Sequence, residues 1–341
     1  MRFDLKCLIV FTLFFFPQCS PSLESQKKIL GQNNAIWCES IYLRGYRPST
    51  HEYLTDEITK EFARTLKAHN IKYAYLFAGP FGKDGHLPRY PFSDTALRTV
   101  QLIKKNYPQL IILPWIGGVQ NKTVFLGATT WVNNALKDTK KLVAFLNVPG
   151  VHVDLEYIQA GDAYLDTTIQ KEKPGDIQNY GNNVNDFHKK LRALLPNSFI
   201  SSVVVATSPD TKPWKRKTTM KELKQLTKYI DQLSFLYYDT YIKVEDVFER
   251  NCDSLVTDIQ SLRKINNIQY LIAIGTFINV PELHKYRDLK IESISNSLQV
   301  IKGSILRVNP SVKTVDGIAI FCDWETDSLK WEQIDENWTR I

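Results

Sequence analysis

The stretch "GVHVDLEYIQ", residues 150–159, decides how the chain is read. Within it, Val151, Val153 and Leu155 alternate with His152, Asp154 and Glu156. Side chains of a strand alternate between faces, so the three polar groups share one face, about 6–7 Å apart between successive Cα atoms. The opposite face is apolar throughout. Such a strand either shows its polar face to water or carries chemistry in a recess, and the rest of the chain decides between the two.

Seven further runs rich in β-branched and aromatic residues occur at 35–42, 71–79, 109–118, 199–207, 230–239, 268–277 and 315–324. Their starts are separated by about 30 to 50 residues, the length of a strand–helix unit. Helical patterns fill the intervals. "LTDEITKEFARTLKAHN" opens on a Thr/Asp cap signal and keeps an apolar face through Ile58, Phe62 and Leu66, while "NNVNDFHKKLRALLP" ends at Pro196. Eight near-continuous apolar strands alternating with helices predict a parallel sheet covered on both faces. Eight such units over about 300 residues favour an α/β fold closed into a (β/α)8 TIM barrel. No glycine-rich dinucleotide or phosphate-binding fingerprint follows the first strand, which speaks against an open doubly wound sheet. The interval between the seventh and eighth strands, 278–314, has room for one helix plus loops. A barrel without a large insertion domain at that point is therefore expected, with a shallow, open cleft.

The barrel gives the opening stretch its meaning, because catalytic groups of such barrels sit at the C-terminal ends of strands. Those ends carry "DLEY" after strand four, "YYDTY" after six, "FCDWETD" after eight and "PWIGG" after three. Carboxylates and aromatic rings would thus converge on one rim. Aromatic faces stack on sugars and carboxylates do acid–base work, so a carbohydrate cleft is expected. Taken one cluster at a time, the competing expectation is a set of solvated strand-end acids.

Composition adds limits. The chain has 341 residues, is 43% hydrophobic and 23% charged, and carries a net charge of +7. That is enough apolar content for one large core. The cationic excess is spread along the chain, as in "IKKN" and "KPWKRK", and no aromatic-plus-basic module for nucleic acid is present. At the N-terminus, "MRFDLK" and then the apolar "CLIVFTLFFF" fit a secretory signal over residues 1–18, too short to span a bilayer comfortably. Cys19 stands where a bacterial lipoprotein signal places its lipidated cysteine, and the polar residues 19–30 would serve as a tether. The expected location is extracellular or on the cell envelope, with membrane attachment only through that lipid. Residues 31–341 form the expected catalytic domain, a monomer. With Cys7 removed and Cys19 lipidated, Cys38, Cys252 and Cys322 remain, an odd number that argues against a disulfide framework. No Cys/His spacing suggests zinc, and no cofactor is expected.

At "GVHVDLEYI" the chain resembles glycoside hydrolase family 18, whose fourth strand carries DxxDxDxE. Asp154 falls on the last Asp of that motif and Glu156 on its acid, while Pro149 and His152 replace the first two Asp residues. The segment looks closer to the spore-cortex and peptidoglycan-hydrolase branch than to the chitinases proper. "LYYDTY" resembles the sixth-strand segment of the family and places Tyr238 and Asp239 on its Tyr and Asp. "LPWIGG" resembles the third-strand segment, with Trp115 in place of a small residue. In "GIAIFCDWETD", Phe321 lines up with the Trp that floors the sugar subsite, and Trp324 is a nearby substitute.

The resemblance implies hydrolysis of β-1,4 bonds next to N-acetylglucosamine, in which the acetamide of the sugar, rather than a protein carboxylate, attacks the anomeric carbon. It implies Glu156 as the general acid/base and Asp154 as the group that orients the acetamide. Tyr238 would donate to the acetamide oxygen, and Asp239 would bind sugar or adjust the electrostatics. Sugar contacts are expected from Trp324, Phe321, Trp115, Tyr42, Tyr157 and His152. The partner would be a polysaccharide or glycan containing N-acetylglucosamine. His152 has two readings at this point: a partner of Asp154, hydrogen-bonded to it when neutral and paired with it when protonated, or a packed interior histidine bonded to a neighbour. Three rival functions stay open. One is a sugar-binding protein without turnover on the same barrel. Another is a metal-dependent hydrolase using His152, Asp154 and Glu156 as ligands. The third is a related hydrolase for sugars that lack an acetamide.

Overall fold

The computed structural model describes residues 30–158, 176–205, 215–278 and 287–339. The expected signal, Cys19 and nearly all of the expected tether lie outside those residues, as does most of the polar segment after "DLEY". Ten strands occur among them: β1 (Asn34–Cys38), β2 (Tyr46–Arg47), β3 (Glu52–Tyr53), β4 (Ile71–Pro80), β5 (Ile111–Val119), β6 (Gly150–Glu156), β7 (Phe199–Val205), β8 (Gln232–Leu236), β9 (Gln269–Gly275) and β10 (Gly317–Phe321). The helices are α1 (Ile41–Arg44), α2 (Asp56–Ala68), α3 (Asp94–Asn106), α4 (Thr129–Leu146), α5 (Asp176–Leu194), α6 (Met220–Leu226), α7 (Glu245–Arg263), α8 (Ile294–Val308) and α9 (Ser328–Ile334). β1 and β4–β10 close into a barrel in the order β1-β10-β9-β8-β7-β6-β5-β4, and β4 pairs back onto β1. Every barrel pairing is parallel. β2 and β3 form a separate antiparallel ribbon beside the first strand. The (β/α)8 barrel expected from the sequence is the observed fold.

Strand alternation builds two apolar layers. Outward residues such as Val151, Val153, Ile200, Phe235 and Ile272 pack under the helices in one continuous core. Inward residues, among them Trp37, Tyr73, Tyr75, Leu113 and Leu271, fill the barrel. Both faces of each strand are therefore covered, which is why the strands read as unbroken apolar runs. The helices are set by local chemistry. Thr55 caps α2 by accepting from the Ile58 amide, with Asp56 and Glu57 in the first turn where the helix dipole favours anions. Its buried face runs through Thr59, Phe62, Ala63 and Leu66, with Ile58 only half-buried. Thr219 and Glu222 form a reciprocal capping box on α6.

Inside the barrel, β6 contributes polar groups where its neighbours contribute rings. His152 is fully buried. Trp37 Nε1 donates to its Nε2 at 3.1 Å, and its Nδ1 lies 2.8 Å from Ser201 Oγ. The indole N–H requires a bare Nε2, so Nδ1 carries the proton and donates to the serine. Ser201 then donates to Gln232 Oε1 at 2.8 Å, Tyr75 donates to the same oxygen at 2.6 Å, and Gln232 Nε2 donates to Gln269 at 3.1 Å. This chain of hydrogen bonds crosses from β1 through β6, β7 and β8 to β9. It satisfies polar groups that would otherwise be costly in a dry interior.

Between β9 and β10 the described residues hold the single helix α8, and no inserted domain occurs among them. Cys38, Cys252 and Cys322 are free and buried. Among the described residues, no helix is long and apolar enough to cross a membrane.

Candidate active site

β5 and β6 pair with Gly117 opposite Asp154 and Val119 opposite Glu156. Gly117 has φ +152°, and a Cβ there would lie 1.7 Å from the Asp154 carbonyl oxygen. Only glycine lets β5 approach β6 at the level of the carboxylate. Two residues earlier, Trp115 is half-buried and its Nε1 donates to Asp154 Oδ2 at 3.2 Å. The indole fixes the orientation of that carboxylate and supports its charge.

Across the barrel mouth, Tyr238 stands two residues past the end of β8. Its ring stacks on Phe321, the last residue of β10, with centroids 5.3 Å apart and planes 5° from parallel. Phe321 is the centre of an aromatic floor, meeting Trp115 at 6.5 Å, Phe277 at 5.6 Å and Trp324 at 5.4 Å. Trp324 stands 40% exposed, the most open ring of this group. The peptide bond after Phe321 is cis. The Tyr238 phenol is pushed well above its ordinary range, first by burial and then by the charges of Asp239, Glu156 and Asp154. It therefore stays protonated and acts as a hydrogen-bond donor, and both carboxylates of β6 lie close enough for their charge to reach it.

Asp239 is buried and adopts φ +43°, a left-handed conformation that Asp tolerates better than most residues. The turn is held from below. Glu292 Oε1 accepts from the Thr240 amide at 2.8 Å and from its hydroxyl at 2.6 Å. Burial pushes the Glu292 carboxyl up to about 7. Arg287 braces the same region by donating to the carbonyls of Gly275 and Glu292, at 2.5 and 2.9 Å.

The structure thus brings Asp154, Glu156, Trp115, Tyr238, Asp239, Phe321 and Trp324 to one end of the barrel. Three residues expected to contact sugar are placed elsewhere. Tyr42 sits on α1, not on a strand end, and its ring stacks on Phe62 at 4.0 Å. Tyr157 points outward, 3% exposed, with its ring edge-on to Tyr180 of α5 at 5.1 Å. Strand alternation sends it to the face opposite Glu156. His152 lies one layer below the carboxylates, stacked on Tyr75 at 3.8 Å, with burial holding it well below its usual pKa. Both of its nitrogens serve the interior chain, so it offers no lone pair to a metal. Among the described residues, no group of three His, Cys, Asp or Glu side chains is arranged to hold an ion.

One residue at the site escaped the sequence reading. Lys215 Nζ lies 2.5 Å from Glu156 Oε1, with the two side chains 10% and 20% exposed. Its backbone bridges to Ile158 in antiparallel fashion, and the Arg216 amide donates to the Tyr157 carbonyl at 3.0 Å. Arg216 turns away to Glu222, 2.6 Å distant. The only sequence signal was the basic run "KPWKRK", 59 residues further along the chain from its partner.

No protein-family model matches the chain, and no curated protein matches it in sequence. Solved structures do match its fold. The spore cortex-lytic enzyme SleL of Bacillus megaterium QM B1551 superposes with a TM-score of 0.54 at 13% identity, covering 92% of this chain and 75% of that one. The Group IV chitinase of Ostrinia furnacalis gives 0.56 at 10% identity over 90% of this chain and 99% of its own. The chitinase of Chromobacterium violaceum ATCC 12472 gives 0.54 at 10% identity, covering 89% and 98%. With its closed eight-stranded barrel, the chain has the fold seen in these chitinases and in the cortex-lytic enzyme.

Proposed function

We propose that the chain is a glycoside hydrolase that cleaves β-1,4 bonds next to N-acetylglucosamine, with the substrate's own acetamide as nucleophile. The observation that carries this reading is the convergence of Asp154, Glu156 and a protonated Tyr238 at one barrel mouth over an aromatic floor. Glu156 gives a proton to the leaving oxygen. The acetamide oxygen attacks the anomeric carbon, and the resulting oxazolinium carries its positive charge beside Asp154. Trp115 holds that carboxylate in place, and Tyr238 donates to the acetamide oxygen. Water then opens the ring, with Glu156 as base, so no second carboxylate is needed at the distance of a covalent nucleophile. Phe321 and Trp324 supply apolar surface for a sugar face.

The test is hydrolysis of N-acetylglucosamine oligomers and of peptidoglycan by the intact protein and by Glu156→Gln. Loss of a general acid lowers turnover by about 10²–10⁴-fold. Equal turnover in both proteins would remove Glu156 from the chemistry. A second reading, sugar binding without turnover, is favoured by the Lys215–Glu156 ion pair, which opposes protonation of the acid. Retention of the oligomers without hydrolysis in either protein would select it. The cell-envelope location and the lipid on Cys19 belong to the same proposal, and mass analysis of the mature N-terminus tests them.

A further inference from the structure

Lys215 stands against the one group that the proposed reaction needs in its neutral form. An ammonium at 2.5 Å from a half-shielded carboxylate favours the ionised state of that carboxylate. Among the described residues, other groups near Glu156 act the opposite way or are neutral. Asp154, on the same face of β6, is an anion and favours protonation. Asp239 lies behind Tyr238, and its charge also reaches that phenol. Tyr238 and Tyr180 stay as phenols, both held well above their usual range by burial first, with Glu156 and Asp154 among the charges that add to it. Arg216, next in the chain to Lys215, is committed to Glu222 in a two-point ion pair at 2.6 and 3.1 Å. Among the described residues, Lys215 is thus the cation on Glu156 itself, and its backbone is fixed by the bridge to Ile158, two residues past the end of β6.

We infer that Lys215 is a positioning residue that holds Glu156 as a carboxylate before substrate binds and thereby sets the pH at which the acid is available. The inference rests on the assignment of Glu156 as the proton donor. For donation, the ion pair must open and Glu156 must take a proton from water. The enzyme is then in its active form on the acid side of the Glu156 titration, and kcat/KM falls as pH rises through it. Lys215 moves that fall toward lower pH. Removing the ammonium moves it up, because the charge that favours the carboxylate is gone while that of Asp154 remains.

The test compares the wild-type chain with Lys215→Met, Lys215→Gln and Lys215→Arg. In the two neutral variants, the fall of kcat/KM with pH is expected about 1–3 pH units higher than in the wild type, the usual effect of one opposite charge at contact distance. Lys215→Arg keeps a cation and restores the wild-type position. A lysine that only braces the loop would lower stability in all three without moving the profile. The second measurement does not need turnover: 13C NMR titration of the Glu156 carboxyl, assigned by its loss in Glu156→Gln, should show the same shift. Coincident titrations of Glu156 in the wild type and both neutral variants would overturn the inference. If Glu156→Gln retains full turnover while the NMR shift is present, the catalytic assignment fails but the Lys215–Glu156 coupling stands.

Discussion

Replacing His152 by alanine tests whether the interior hydrogen-bond chain supports the barrel. Four contacts disappear at once, the bond from Nδ1 to Ser201 Oγ at 2.8 Å among them. The Trp37 N–H loses its acceptor at 3.1 Å in a fully buried setting, and an orphaned buried donor costs about 1–3 kcal/mol. The stack on Tyr75 at 3.8 Å and the edge contact with Trp37 at 5.4 Å go as well, each worth about 0.5–1.5 kcal/mol. A small cavity remains where the ring stood. The sum is about 4 kcal/mol, a large share of the roughly 5–15 kcal/mol that holds a typical domain folded. Urea unfolding at pH 7.5, followed by far-ultraviolet circular dichroism, measures it. The pH dependence gives a second, sharper test. The folded imidazole stays neutral because burial holds its pKa well below 6.5, whereas the unfolded one takes up a proton near 6.5. Below that pH the unfolded wild type binds one more proton than the folded form, so wild-type stability falls as pH falls. The alanine variant lacks this group. The gap between the two proteins should therefore narrow by about 1.4 kcal/mol per pH unit below 6.5. A loss under about 1 kcal/mol at pH 7.5, or a gap that stays constant down to pH 5, would refute the assignment of a neutral, doubly bonded histidine.

Two further outcomes follow from the rim. Trp115→Phe keeps the ring against Phe321 but removes the donor to Asp154. The loss of one hydrogen bond to a charged group predicts about a tenfold drop in kcat/KM on N-acetylglucosamine oligomers, with little change in unfolding midpoint. Gly117→Ala forces a methyl group to 1.7 Å from the Asp154 carbonyl oxygen, so β5 must shift off β6; a loss of about 1–3 kcal/mol in urea unfolding is expected. A variant as stable as the wild type would mean that the strands have more room there than the geometry allows.

The barrel was legible because each strand is covered on both faces and so reads as an apolar run, while the helices between announce themselves by caps such as Thr55. The strand ends were less legible. The run 230–239 is apolar and aromatic from Phe235 to Tyr238, yet the strand stops at Leu236 and Asp239 already has positive φ. Aromatic residues that leave the sheet to floor a cleft look, in sequence, like residues still within it. The same effect put Tyr42 at a strand end, whereas β1 ends at Cys38 and Tyr42 belongs to a short helix. At the site, period-two alternation placed Asp154 and Glu156 correctly on the inner face. It could not give depth, and depth is what separates the buried His152 from the carboxylates above it. Lys215 was illegible for another reason: its partner is distant along the chain, and one lysine in a basic run carries no local pattern.

The occupied nitrogens of His152 have a consequence for how the site exchanges hydrogen ions. One accepts from Trp37 and the other donates to Ser201, so the imidazole has no vacancy with which to relay charge along the barrel axis. Among the described residues, traffic beneath the carboxylates through His152 is closed. Hydrogen ions that Asp154 and Glu156 gain or lose therefore bypass His152 and exchange on the side of the carboxylates where Trp324 stands exposed.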